Sequence, residues 1–330
     1  MHESFAKPLD WFAIKLAGLC VHRGAGGRGQ AAEVERLLQE PSYFCDFVTA
    51  PTDFQLKRRT FRFTSPVVSP WKRNNTVHGR FYPAAGTFPK HATVLLLHGW
   101  NQEIGYRILF PYLARRLNAA GVNAVMIELP YHHQRKPREC GAIRNFIADD
   151  LLHVAMATHQ ALADARAMVA WLEKEGCVNI GVWGISLGAW LGGLLACVEA
   201  RLKFAVLMTP VARMDRVIAE LEFCEPIRRS LGGATVRLEP LNLMSHRPKM
   251  AAENILVVAS EHDLFAPMSA VEELARAWKE PVLWRMRHGH ISVMMSAPVM
   301  RRTVMRRTVK WIARRTEPYE VSRPAFATSV

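Results

Sequence analysis

Acid is what this chain is short of. Its 330 residues carry 29 Asp and Glu against 43 Lys and Arg, a formal charge of +14 with a pI near 9.9. Such an excess favours an anionic partner, whether nucleic acid, lipid surface or acidic substrate. No aromatic-and-basic motif of the nucleic-acid-binding kind occurs, so no nucleic-acid partner is expected, and an arginine-rich composition alone accounts equally well for the charge. Metal-binding patterns are missing too. None of the six cysteines (Cys20, Cys45, Cys140, Cys177, Cys197, Cys224) belongs to a C-x-x-C pair, which leaves them as reduced core thiols. There is no H-E-x-x-H pair and no clear His/carboxylate ligand set, so no metal and no other cofactor is expected. Long apolar runs are also absent, since Trp11 to Val21 is interrupted by Lys15 and is too short to span a bilayer. The first residues, MHESFAKPLDW, lack the basic segment, apolar run and small-residue cleavage site of a secretory leader, and a cytoplasmic location is expected.

Half of the chain is hydrophobic, enough to bury the core of one large domain. Residues 1–56 read as an N-terminal helical extension: an amphipathic helix around Asp10 to Val21, a glycine-rich break at Gly24 to Gly29, then a helical stretch Ala31 to Glu40 closed by Pro41. Residues 57–330 read as the main domain. It opens with alternating polar and apolar residues from Lys57 to Thr64, followed by Val77 to Tyr82, which predicts an antiparallel pair at a sheet edge. The pattern then changes to short apolar runs separated by helical stretches: Thr93 to Leu97, Asn123 to Leu129, Ile180 to Trp183, Phe204 to Met208, Ile255 to Ser260 and Pro281 to Met286. This alternation predicts an α/β fold with a mostly parallel central sheet and helices on both faces.

Residues 211–253 break the alternation with helical pieces, Gly232-Gly233 and several prolines, and read as an inserted cap. The closing helix, Pro298 to Arg315, repeats Met300, Val304 and Trp311 at helical spacing among arginines. That pattern suits the last helix of a fold, with its charges in solvent; an interfacial helix drawn to anionic lipid would use it as well. The tail after Pro318 is expected to be loosely ordered.

Gly184, Ser186 and Gly188 form a G-x-S-x-G sequence between the β-prone run Ile180 to Trp183 and the apolar, alanine-rich Leu187 to Val198. This is a strand-turn-helix in which glycines allow a sharp turn that holds the hydroxyl above the sheet. A serine that merely caps the helix fits the same local pattern. A nucleophilic serine also needs a base within hydrogen-bond reach and a group that orients the base. Asp263 follows the run Ile255 to Ser260 and His290 follows Pro281 to Met286, both at the carboxyl edge of the sheet, where ligands bind in open α/β folds. Glu261 and His288 are the competing acid and base.

With the His98-Gly99 turn, the elbow, and the order Ser186, Asp263, His290, the chain resembles the α/β-hydrolase superfamily from about Lys57 to Arg315. The HDLFAP and GH-I-S contexts are similar to that family's acid and histidine loops, which favours Asp263 and His290 over Glu261 and His288. The resemblance implies Ser186 as nucleophile, His290 as general base then acid, and Asp263 as the orienting carboxylate. It also implies an oxyanion hole from the backbone N–H groups of Leu187 and Trp100, with Gly99 permitting close approach of substrate.

The loop after Asn123 to Leu129 lies at the same edge, and Tyr131, His133 and Arg135 are the candidates for substrate contact. Arg135 with Lys136 and Arg138 suits an anionic group. His98 reads as structural. The implied reaction is hydrolysis of a small-molecule carboxylic ester or thioester through an acyl-Ser186 intermediate, with no cofactor. An acyltransferase or a lipid acyl hydrolase could use the same residues, and a non-catalytic protein of the same fold that binds lipid or anions is the alternative from another class.

Overall fold

The computed structural model describes residues 3–21, 30–44, 48–86, 88–137, 145–296 and 298–316; the glycine-rich break, Cys45, Arg138, Cys140 and the tail after Pro318 lie outside them. The strands are β1 (Gln55–Lys57), β2 (Thr60–Thr64), β3 (Thr76–Tyr82), β4 (Thr93–Leu97), β5 (Asn123–Ile127), β6 (Ile180–Ile185), β7 (Leu202–Met208), β8 (Ile255–Ser260) and β9 (Val282–Met286). They form one sheet in the order β1-β2-β3-β5-β4-β6-β7-β8-β9. The first three strands and their junction with β5 are antiparallel, and every later pairing is parallel. Strand β1 escapes a reading based on periodicity, because its three residues are all exposed and offer no apolar alternation.

The parallel strands are apolar throughout because both faces are covered. Val94, Leu96, Met126 and Val206 share one core with residues of α3 (Phe110–Asn118) and α10 (Arg306–Thr316). Leu95, Leu97, Val125 and Val182 belong to the other, with α4 (Leu151–Lys174) and α5 (Leu187–Val198). Helix α4 starts where Asp150 accepts the Leu152 N–H at 2.9 Å, an N-cap that satisfies one of the helix's free donors. Helix α10 follows a π-helical turn, Val299–Met305. Met300, Val304, Trp311 and Ile312 are all buried, so the apolar side of this segment is spent on the sheet.

Strand β4 lies between β5 and β6. The chain leaves β4 toward α3 on one face and leaves β6 into α5 on the other, which opens a crevice at their carboxyl ends. Residues 211–253, between β7 and β8, contain α6 (Met214–Glu220), α7 (Glu225–Leu231) and several single 3-10 turns. Gly232 ends α7 in the left-handed conformation, φ 58°, that glycine adopts without strain.

Helix α1 (Glu3–Cys20) begins a full two turns earlier than the apolar pattern suggests, its first turn tied by a Lys7–Glu3 pair at 2.6 Å. It lies against α9 (His290–Met295) and the 3-10 turn Glu222–Cys224. Helix α2 (Ala31–Gln39) lies on α4, and α8 (Met268–Ala277) precedes β9. No helix among the described residues is long and apolar enough to cross a membrane.

Candidate active site

The turn between β6 and α5 could not be built with other residues at its glycines. A Cβ on Gly184 would lie 2.1 Å from the Gly188 carbonyl oxygen, and one on Gly188 would lie 2.1 Å from that of Leu97. Ser186 between them sits at φ 54°, ψ −118°, a conformation that a side chain rarely adopts and that the surrounding bonds must hold. Its N–H donates to Met208 O at 2.9 Å, and its carbonyl accepts from Ala189 and Trp190, each at 2.9 Å. The hydroxyl caps nothing in the helix. Instead it lies 2.8 Å from His290 Nε2.

His290 stands at the start of α9, and its Nδ1 lies 2.7 Å from Asp263 Oδ2. The other carboxylate oxygen accepts the N–H groups of Phe265 at 2.8 Å and Ala266 at 2.7 Å, so Asp263 is locked in place. Asp263 is acceptor-only when ionised, so Nδ1 carries the hydrogen and Nε2 is left to accept from the Ser186 hydroxyl. Both side chains are almost wholly buried. Burial opposes a charged imidazole, but the Asp263 carboxylate, helped by Asp10, outweighs it and holds the His290 pKa above the ordinary value. His288 faces elsewhere, with Nδ1 3.4 Å from Ser292 Oγ, and burial lowers its pKa. Glu261 stands 3.9 Å from Arg287 near the surface. Of the two competing pairs, then, it is Asp263 and His290 that meet Ser186.

The turn after β4 supplies the opposite wall. The Asn101 N–H donates to His132 Nε2 at 3.3 Å, which leaves the preceding N–H of Trp100 as the turn's candidate donor toward the pocket. The His132 ring is fixed as that acceptor. Its Nδ1 faces Pro130 O at 2.8 Å, and burial pushes its pKa down to about 3, so the ring stays neutral and Nε2 keeps its lone pair. His98 is structural, with Nδ1 to Gly99 O at 2.8 Å and Nε2 accepting from Leu129 N at 3.1 Å. Gly99 makes room for a side chain of its own turn: a Cβ there would lie 2.8 Å from the Gln102 amide carbon, whose oxygen accepts the Gly99 N–H at 3.2 Å. Leu187 is the first residue of α5, where helix N–H groups have no partner within the helix.

Comparison with known proteins shows what this geometry is similar to. Residues 77–222 match the family model "Alpha/beta hydrolase domain containing 18". Esterase Est1E from Butyrivibrio proteoclasticus superposes with a TM-score of 0.51 over 73% of this chain and 94% of its own, at 13% identity. An esterase from an Arctic intertidal metagenomic library gives 0.52 over 82% of this chain and 100% of its own, at 18% identity. The chain has the α/β-hydrolase fold. The acylaminoacyl peptidase of Pyrococcus horikoshii has the same fold, with a TM-score of 0.56 at 15% identity, over 81% of this chain and 42% of that one. An uncharacterized protein of Mycobacterium tuberculosis is 30% identical over 187 residues, 55% of this chain; the match spans 45% of that relative, under half its length.

Within this fold, the three residues expected to touch substrate are placed elsewhere, which corrects the sequence reading. Arg135 is fully buried, its guanidinium 2.7 Å from Asp164 of α4 and bonded to the backbone oxygens of Asn74 (2.7 Å) and Glu128 (2.9 Å). A buried guanidinium needs all of these partners, so none of its charge is left for a substrate. Tyr131 is buried beside His153, with its N–H on Asn74 Oδ1 at 2.9 Å. His133 bonds Glu103 at 2.9 Å and, with Lys136, borders a second cleft instead. None of the three lines the cavity above Ser186. Arg135→Ala is accordingly expected to act on stability, costing about 3 kcal/mol because Asp164 is left buried and unpaired. Thermal melting should show the loss, and KM of the folded enzyme should be unchanged.

Asp10 is the residue that sequence reasoning missed. It lies on α1, fully buried, and its carboxylate accepts three backbone N–H groups: Leu264 at 3.0 Å, His290 at 2.8 Å and Ile291 at 2.8 Å. One side chain from the N-terminal extension thus ties the loop of Asp263 to the loop of His290. A Cβ on Gly289 would lie 2.9 Å from both Asp10 oxygens, so the glycine admits the carboxylate. Burial pushes the Asp10 pKa up, against the three N–H donors that favour its charge. A lone acid in an apolar stretch, LDWF, was the available signal.

The cavity beside Ser186 and His290 has a volume of roughly 370 Å³. Leu16 and Ala17 of α1, Trp190 of α5, Val217, Ile218 and Ile227 of the 211–253 segment and Met294 of α9 line it, and its walls are almost entirely apolar.

Proposed function

We propose that the protein hydrolyses carboxylic esters, or thioesters, that carry an apolar acyl group. The observation that carries this reading is the hydrogen-bonded series Ser186–His290–Asp263 opening onto an apolar cavity. His290 Nε2 takes the hydroxyl proton as Ser186 Oγ attacks the carbonyl carbon. Negative charge then develops on the carbonyl oxygen, where the N–H groups of Leu187 and Trp100 are the assigned donors. The tetrahedral species collapses as His290 protonates the leaving oxygen or sulfur, leaving an acyl-Ser186. Water, deprotonated by His290, cleaves the acyl group and restores the serine. Asp263 holds the ring tautomer and stabilises the imidazolium throughout.

A chain-length series of p-nitrophenyl esters tests the pocket. Each methylene that enters the cavity should raise kcat/KM by about fourfold until the space is filled. Ile227→Trp, which narrows the cavity, should move the optimum to shorter chains. A preference for acetate with no dependence on chain length would contradict the reading.

A lipid acyl ester is the second reading, favoured by exposed apolar residues beside the same cavity. Met295 is 70% exposed and Leu16 50% exposed, and Phe5, Trp11, Phe12 and Leu19 project from the same helix as Leu16. An apolar rim of this kind suits substrate presented from an aggregate. Faster turnover of emulsified than of monomeric substrate supports this version; equal turnover argues for a dispersed ester.

A further inference from the structure

The second cleft holds a set of charges that the proposed reaction does not use. It has a volume of roughly 1220 Å³, and among the described residues it shares no lining residue with the cavity above Ser186. The turn after β4 separates them, with Gln102 lining one and Glu103 the other. One wall is the outward face of the antiparallel strands. Val77 and Phe81 of β3 are buried, while Thr76, His78 and Arg80 of the same strand line the cleft, with Arg62 of β2 directly opposite His78. Lys72 and Arg73, just before β3, and Arg107 and Lys136 line the same cleft.

Six cations therefore line one cleft, against two carboxylates, and both carboxylates are engaged. Glu103 accepts from His133 at 2.9 Å and stands 3.7 Å from Arg107; Glu128 accepts the Gln134 N–H and side-chain amide, each at 3.1 Å. Among the described residues, no carboxylate pairs with Arg62, Lys72, Arg73, Arg80 or Lys136. Like charges gathered in a concave site raise the local concentration of counter-ions of opposite sign.

Deeper in the cleft, His133 stacks on Tyr106 with ring centroids 4.2 Å apart, and its side chain is 5% exposed. Its Nδ1 is spent on Glu103, and among the described residues Nε2 has no partner. A buried ring nitrogen left without a partner is costly unless something supplies one. We infer that this cleft binds a ligand bearing at least two phosphate groups, held by the unpaired cations of β2, β3 and the Lys136 loop. One phosphate could not neutralise five unpaired cations. Arginine forks suit phosphate oxygens because they form paired, charge-assisted bonds. Phosphate binding here is independent of ester hydrolysis, since the two sites share no residue.

Inorganic pyrophosphate is the probe for a soluble ligand, and vesicles of cardiolipin, whose headgroup carries two phosphates, are the probe for a lipid headgroup. Binding is measured by calorimetry and by vesicle sedimentation, respectively, on the full chain. Arg73→Glu and Lys136→Glu change side chains at the cleft, and Lys279→Glu makes the same charge change near β9, at the opposite edge of the sheet. Wild type and Lys279→Glu should bind pyrophosphate alike and orthophosphate more weakly. Each cleft variant should weaken pyrophosphate binding about tenfold or more. Vesicle binding alone, lost in the cleft variants and kept in Lys279→Glu, would assign the same phosphate chemistry to a headgroup. No binding of either probe, or an equal response of all three variants, would overturn the proposal. Melting temperatures distinguish loss of the site from loss of the fold.

Discussion

Replacing His290 with alanine should cut ester turnover by about 10⁴-fold or more, while His288→Ala stays within about threefold of wild type. The two histidines are two residues apart and equally plausible as bases by composition. Their surroundings separate them. His290 Nε2 lies 2.8 Å from the Ser186 hydroxyl and its Nδ1 2.7 Å from Asp263, whereas His288 reaches only Ser292 at 3.4 Å. Without His290 the serine keeps its proton, and the residual rate is what the oxyanion donors and binding alone provide. Steady-state kinetics on a p-nitrophenyl ester checks this. A large loss in His288→Ala with little change in His290→Ala would exchange their roles.

Asp10→Ala should lower kcat by between about a hundredfold and a thousandfold, although Asp10 touches neither Ser186 nor the cavity. Three N–H groups lose their acceptor, and two of them belong to His290 and its neighbour Ile291. Misplacement of a catalytic group by about 1 Å costs on the order of 10² in rate. A loss of folding alone would look similar, so the pH profile is the more specific reading. The proposed proton transfer from Ser186 requires neutral His290, whose pKa is raised against burial, by Asp263 first and Asp10 second. Activity in wild type should therefore fall with decreasing pH through a value above 6.5, the ordinary histidine value. Asp10→Asn keeps the shape and one acceptor oxygen but removes the negative charge, so its acid limb should move to lower pH. An unshifted limb together with full activity would show that the carboxylate is dispensable.

The reach of the sequence follows the range of the interactions involved. The parallel strands are legible because both of their faces are buried, so they read as short apolar runs between helices. The elbow is legible because any Cβ at Gly184 or Gly188 would lie 2.1 Å from a backbone oxygen, a constraint that permits one residue type. Asp263 and His290 stand just past strand ends, where topology brings them to Ser186. The loop after β5 misleads because an arginine in a polar, proline-containing stretch reads as solvated. Its burial is set by Asp164, on a helix that sequence pattern does not pair with the loop. Asp10 is hidden for the same reason: its partners lie at Leu264, His290 and Ile291, and a lone acid among apolar neighbours does not say which distant backbone its oxygens serve.

The ester hydrolysis proposed for this protein requires Ser186 to be the nucleophile. A fluorophosphonate probe, followed by peptide mass spectrometry, tests it most directly. Wild type should carry one phosphonyl group on Ser186, with labelling slowed strongly in His290→Ala and abolished in Ser186→Ala. Equal labelling of wild type and Ser186→Ala, or an adduct on another residue, would contradict it.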